Sequence, residues 1–236
     1  MADNVAGLVI WDVDGTLIPA DLRWLRLAIA RTYRIQEDEV VFPAKKTHGY
    51  TDESIVIDAA VSSGLSEAEA EAGLPRFGEE MRMIMVEGRD VVARVQPAYP
   101  GAAGSIAALS RAGFIQTVLT GNIRSAAEVK LEATGLDKYI NFSIGGYGSD
   151  ARDRLLLPSI VARRYEKALG YPLDPRSAVV IGDAPNDILT ARHAGFGAVV
   201  VMHRAGRQEL TEHHPDVVLE ALEPDAVVEA VKSLIP

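Results

Sequence analysis

The 236-residue sequence contains no cysteine. That excludes disulfides, thiolate catalysis and every cysteine-based zinc or iron site. Basic residues are also in deficit: 24 Lys and Arg stand against 33 Asp and Glu, for a net charge of −9. A general nucleic-acid binder needs a basic face, and adhesion to anionic lipid needs basic clusters, so neither partner is expected. No apolar run approaches the roughly 20 residues of a membrane helix. No basic segment followed by a long apolar one precedes residue 8, so no secretory signal is expected. Internal repeats and low-complexity tracts are missing too. What is left is a cytoplasmic enzyme or small-molecule-binding domain, a monomer or homodimer with no nucleic-acid or membrane partner. Its acidity sets a condition: an anionic substrate would need a local device to overcome the protein's own field.

Against these absences stands a regular alternation. Short Val/Ile-rich runs suggest buried strands at residues 8–11, 115–119, 139–144, 178–181, 198–202 and, weakly, 216–219. The runs AVVI and AVVVM show no polar alternation, as expected of parallel strands covered on both faces. Helical patterns fill the gaps at 101–112, 123–134, 153–169 and 185–194, each followed within a residue by glycine, a frequent helix stop. A last helix is expected at 224–234. The fold class is therefore α/β with a mostly parallel sheet. Residues 19–97 break the rhythm. They lack strand-like runs and read as helices at 20–33, 52–63, 66–73 and 75–95, with Ser66 and Glu69 fitting a capping box. They form an all-helical insert after the first strand, and Pro97 with Pro100-Gly101 marks the return.

Four constellations carry chemistry. Asp12-Val13-Asp14-Gly15-Thr16-Leu17 follows the first strand, and ligands of open α/β sheets sit at the carboxyl ends of strands. Two carboxylates at i and i+2 there can share a cation, and one can act as a nucleophile. Leu119-Thr120-Gly121-Asn122 offers a hydroxyl and backbone N–H groups at a helix start, a device that can hold phosphate, although alone it is an ordinary connection. Gly182-Asp183-Ala184-Pro185-Asn186-Asp187 puts more carboxylates at a strand end, with Pro185 suited to a first helical turn. Together these acids make an oxygen-rich pocket that suits Mg²⁺. The stretch 149–154 supplies Arg152 and Arg154. Either can be the cation a phosphoryl group requires, and spacing does not separate them.

The ordered set DVDGTL, LTGN, a basic residue and GDAPND resembles the haloacid dehalogenase superfamily over essentially the whole chain. The resemblance implies a Rossmann-like three-layer core, residues 1–18 and 98–236, with sheet order 3-2-1-4-5 and a helical cap at 19–97. It implies that Asp12 is the nucleophile toward phosphorus and that Asp14 is the general acid, then base. Thr120, with Gly121 and Asn122, would orient the phosphoryl oxygens. Mg²⁺ would be held by Asp12, the Asp14 carbonyl and Asp183, with Asp187 in support.

One position departs from the pattern. The family usually has a lysine in the third motif, and none lies between Lys138 and Lys167. The segment GSDARDRLLLPSIVAR is similar to a phosphoglycolate-phosphatase-like branch that uses arginine, and position favours Arg154 over Arg152. The expected activity is Mg²⁺-dependent hydrolysis of a small phosphorylated metabolite, phosphoglycolate-like or a sugar phosphate, through an aspartyl-phosphate. Asp14 ranks this above a dehalogenase, which lacks an acid there. Asp52 stands where a hexose-phosphate mutase would carry arginine. Lys45 and Lys46 keep a phosphonate-cleaving reaction open, and a non-catalytic metabolite-binding domain is the other alternative. His48, beside Gly49, is a candidate substrate contact, as is Tyr50, and Trp24 can line the cleft. The series Arg23, Arg26, Arg31 and Arg34 reads as a solvated helix face, yet residues 19–50 hold six basic against four acidic residues. His193, His203, His213 and His214 read as structural or exposed.

Overall fold

The computed structural model describes residues 6–43 and 50–236. Six strands form one parallel sheet: β1 (Leu8–Trp11), β2 (Ile115–Thr120), β3 (Gly146–Tyr147), β4 (Ala178–Gly182), β5 (Gly197–Val201) and β6 (Val217–Leu219). Their order across the sheet is β3-β2-β1-β4-β5-β6. The expected order 3-2-1-4-5 is thus extended by one edge strand. β1 lies in the centre, with Leu8 opposite both Ile115 of β2 and Ala178 of β4. Both its faces are covered. Val9 and Trp11 join the apolar cluster that includes Ile106, Leu131 and Val231, whereas Leu8 and Ile10 join the cluster with Val161 and Ile188. Period-two alternation sends neighbouring side chains to opposite layers, which is why β1 is apolar throughout.

The outer layers are α6 (Ala102–Arg111), α7 (Arg124–Ala133), α8 (Leu157–Leu169), α9 (Pro185–Ala194), α10 (Arg207–Thr211) and α11 (Pro224–Leu234). Between β1 and β2 the chain forms α1 (Arg23–Tyr33), α2 (Asp52–Ser62), α3 (Glu67–Ala72), α4 (Leu74–Glu87) and α5 (Arg89–Val95). α1, α2, α4 and α5 share a third apolar cluster that includes Leu25, Ile29, Val56, Phe77, Met81, Met85 and Val92, which Ile123 and Ala126 at the start of α7 also join. Ser66 closes the expected capping box: Glu69 N bonds Ser66 Oγ at 3.3 Å, and Ser66 N bonds Glu69 Oε2 at 2.9 Å. No helix of the described residues is long and apolar enough to cross a membrane.

Three expectations shift, and one helix is new. The helix read at 75–95 is two helices meeting at Gly88, a residue with poor helical propensity. The strand read at 139–144 is a 3₁₀ turn, Phe142–Ile144, followed by β3. Asn141 causes the change, because its Oδ1 accepts from Ser143 N at 3.1 Å and from Ser143 Oγ at 2.6 Å, a local turn that competes with an extended ladder. The helix read at 153–169 starts as a separate 3₁₀ turn, Arg154–Leu156, capped by Asp153, before α8 begins with Pro158 in its first turn. The five-residue α10 carries too little periodicity to be expected from sequence.

Candidate active site

The functional groups gather where β1, β2 and β4 end side by side. β1 pairing runs one residue beyond the strand, through Asp12 N to Ile181 O at 2.9 Å. The chain then turns back tightly, with Leu17 N bonding Val13 O at 2.9 Å and Gly15 N bonding Ile18 O at 2.7 Å. Gly15 has φ +99°, and a Cβ there would lie 2.4 Å from the Arg204 guanidinium. Only glycine accepts that conformation and that approach together. The turn leaves Asp12 and Asp14 lining one cavity with Thr120, Gly121, Asn122, Lys130 and Arg154. Thr16 Oγ1 lies 3.3 Å from Asp12 Oδ2 and 3.2 Å from Asp183 Oδ1.

At the end of β2, Asn122 N donates to Thr120 Oγ1 at 3.2 Å. The same loop receives α2: Asp52 N donates to Gly121 O at 2.7 Å, and Asp52 Oδ2 accepts from Ile123 N at 3.0 Å. A Cβ on Gly121 would sit 1.9 Å from Tyr50 O, so the contact is possible only with glycine. At the end of β4, Asp187 Oδ2 accepts from Asp183 N at 3.1 Å and from Ala184 N at 3.0 Å. Asp187 thereby locks the loop that presents Asp183. The 3₁₀ turn before α8 delivers Arg154, whose Nη2 donates to Asp12 Oδ1 at 3.0 Å and also to Asp187 Oδ1. Arg152 is directed elsewhere: it pairs with Glu71 at 2.8 Å on the surface. The geometry therefore separates the two arginines that spacing left open.

Ligand atoms of Asp12, Asp183 and Asp187 lie within 4.8 Å of one another, and all three residues are buried. Burial pushes the Asp12 carboxyl up to about 7, with the Asp187 charge adding to the rise and Arg154 opposing it. Burial raises Asp183 and Asp187 as well. Burial works against the charge on Arg154, yet Asp187 and Asp12 hold its guanidinium above the ordinary value. So dense a set of carboxylates calls for cations, and hard oxygen donors at this spacing fit a divalent ion such as Mg²⁺.

Two cations in the site stand in none of the four motifs. Lys130, in the second turn of α7, reaches Asp14 Oδ2 at 2.5 Å. Arg204, in the loop after β5, donates from Nε to Asp183 Oδ2 at 2.7 Å and from Nη2 to the Asp14 carbonyl at 3.1 Å. Helix amphipathicity marks Lys130 as unusual in retrospect, because it falls on the same face as the buried Ala126, Ala127 and Leu131. Arg204 is preceded by no motif. His203 supports the site from behind, with Nδ1 3.1 Å from Gly15 O and its ring 4.0 Å from that of Tyr99.

On the helical side, Trp24 and Tyr50 line the cavity, together with Leu25, Ile55 and Met81. Trp11 is a packing residue that donates to Gln116 at 3.0 Å. Arg23 pairs with Asp21, Arg26 donates to Val40 O and Arg31 pairs with Glu87, so these members of the arginine series stay on the helical layer. His48, with Lys45 and Lys46, lies outside the described residues. The cleft is half open to solvent, and its deepest part offers about 70 Å³, room for on the order of five waters.

Comparison with known proteins adds an independent finding. The family model for haloacid dehalogenase-like hydrolases matches residues 7–195, and a second model, for HAD-hydrolase-like proteins, matches residues 158–234. A phosphoglycolate phosphatase of Rhodospirillum rubrum is 29% identical over 210 residues, covering 85% of this chain and 81% of that one. A phosphoglycolate phosphatase of Agrobacterium fabrum is 32% identical over 138 residues, 58% of this chain and about half, 53%, of that protein's length. Among solved structures, a predicted phosphoglycolate phosphatase from Haemophilus somnus superposes with a TM-score of 0.65 at 20% identity, over 94% of this chain and 97% of that one.

Proposed function

The chain belongs to the haloacid dehalogenase-like hydrolases and is a phosphatase of that family, and we propose that it hydrolyses a small phosphomonoester through an aspartyl-phosphate on Asp12. The observation that carries this reading is the convergence of Asp12, Asp14, Thr120 and Arg154 on one cleft at the carboxyl ends of adjoining strands, with Asp183 within 4.8 Å of Asp12 beside it. In the first step a carboxylate oxygen of Asp12 bonds to phosphorus as the ester P–O bond breaks, and Asp14 gives the departing alcohol oxygen its proton. In the second, Asp14 takes a proton from water as the water oxygen attacks phosphorus, which frees Asp12 and inorganic phosphate. The Thr120 hydroxyl and the backbone N–H groups of its loop orient the phosphoryl oxygens.

Arg154 offsets the phosphoryl charge. Its Nε is a buried donor with no partner among the described residues, and a phosphoryl oxygen would satisfy it. A divalent cation, Mg²⁺ in this proposal, would be held by the carboxylates of Asp12 and Asp183 and the carbonyl of Asp14, with Asp187 in support, and would supply positive charge against the charge that develops on the phosphoryl oxygens. Residues 19–97 act as a cap over the core of 1–18 and 98–236, excluding bulk water. The protein works in the cytoplasm on a small phosphorylated metabolite.

The substrate class is phosphoglycolate-like or a small sugar phosphate. What supports it is the names of the relatives. A phosphate-release screen over a metabolite panel tests the proposal. Turnover of such esters with Mg²⁺, abolished by a chelator, is the expected outcome. Undiminished turnover in chelator would refute the metal dependence, and no release from any ester would refute the reaction.

A further inference from the structure

Lys130 poses a question that the phosphatase mechanism leaves open. It is 5% exposed, and a buried ammonium is costly unless it is paired and hydrogen-bonded. Its Nζ lies 2.5 Å from Asp14 Oδ2 and 2.8 Å from Asn122 Oδ1. The ammonium thus ties the acid on the β1 turn to the phosphate-side loop after β2. The other Asp14 oxygen, Oδ1, has a 3.4 Å contact from Gln96 Nε2, whose better partner is Pro19 O at 2.6 Å. One carboxylate oxygen is therefore held firmly and the other loosely. Backbone packing does not require this tie. α7 is already anchored by Ile123, Ala126, Ala127 and Leu131 in two apolar clusters.

We propose that Lys130 is a positioning residue for Asp14: it clamps Oδ2 so that the carboxyl group meets the leaving oxygen and, later, the attacking water. The inference rests on the assignment of Asp14 as the proton-transfer group. It makes Lys130 a second cation beside the third-motif arginine, turned toward the proton-transfer acid, whereas Arg154 is turned toward the nucleophile.

The test compares leaving groups. The parameter kcat/KM reports the steps through leaving-group departure, and an aryl phosphate with a weakly basic leaving group needs little help from an acid. Lys130→Met should lower kcat/KM for phosphoglycolate, or for the best alkyl phosphate of a metabolite panel, by about 100-fold, mostly through kcat. For p-nitrophenyl phosphate it should fall by less than about threefold. Lys130→Arg should recover most of the alkyl-ester rate. In an Asp14→Asn background, Lys130→Met should have almost no further effect, since the two residues act as one unit.

An equal fall for both substrates, or full additivity with Asp14→Asn, would overturn the positioning role and leave Lys130 a structural strut. No fall for either substrate would overturn it as well. Lys130→Gln carries the same comparison if the methionine variant does not fold. Absence of turnover by the wild-type protein, or full turnover by Asp12→Asn, would instead overturn the phosphatase reading on which the inference stands.

Discussion

Removing the Arg154 guanidinium would leave Asp12 and Asp187 facing each other in a buried pocket without the charge that joins them. Breaking a buried pair by deleting one partner typically costs about 3–5 kcal/mol. Arg154→Met should therefore unfold at clearly lower denaturant besides losing activity. Arg154→Lys should recover part of the stability but less of the activity, because a point charge cannot bridge two carboxylates as a guanidinium does. Arg204 makes the opposite prediction. It bonds Asp183 and the Asp14 carbonyl, two of the proposed metal donors, and so competes for them. Arg204→Ala should tighten Mg²⁺ binding in calorimetry, and unchanged or weaker binding would refute the competition. Sequence reading reached Arg154 because it lies in a motif window. It could not reach Lys130, whose partner Asp14 is 116 positions away, since a lysine on a helix ordinarily points to solvent. Nor could it reach Arg204, which meets Asp183 and Asp14 only because the sheet sets β5 next to β4, and β4 next to β1.

The docking of α2 on the loop after β2 is the contact between elements that most directly shapes the cavity. Burial pushes Asp52, at the start of α2, up to about 7, with Lys130 and the Ile123 N–H opposing the rise. A carboxyl raised from its ordinary 3.8 binds its proton more tightly folded than unfolded. Its contribution to stability is therefore full below about pH 4 and is lost as pH rises through about 7. The stability of the wild type relative to Asp52→Asn should accordingly fall between pH 5 and pH 8. Urea unfolding at the two values checks this, and a difference that stays constant would contradict it. Gly121→Ala would drive a methyl group into Tyr50 O and should cost on the order of 2 kcal/mol, readable in the same experiment. Helix ends were legible wherever a glycine follows the apolar pattern, as at Gly113, Gly135, Gly170 and Gly195. The start of α8 and the place of β3 were not, because Asp153 and Asn141 divert the chain by side-chain hydrogen bonds that hydrophobic periodicity does not register.

Across the whole molecule, the net charge of −9 is reconciled with an anionic substrate by concentrating cations where they count. Arg154, Lys130 and Arg204 all point at the carboxylate cluster, while distant acids are screened beyond about 8 Å at physiological salt. The α/β class and the helical insertion after β1 could be read from strand spacing, whereas the sheet order, short of its last edge strand, was implied only by the family resemblance that four motifs carry. The balance of charge inside the cleft could not, because it depends on which side chains the topology buries. The central claim concerns the residue at the middle of that balance, Asp12, and phosphate release by Asp12→Asn measured beside the wild type tests it most directly. Loss of at least about a thousandfold in turnover, with the fold intact, is the predicted result. Turnover within a few-fold of the wild type would contradict the account.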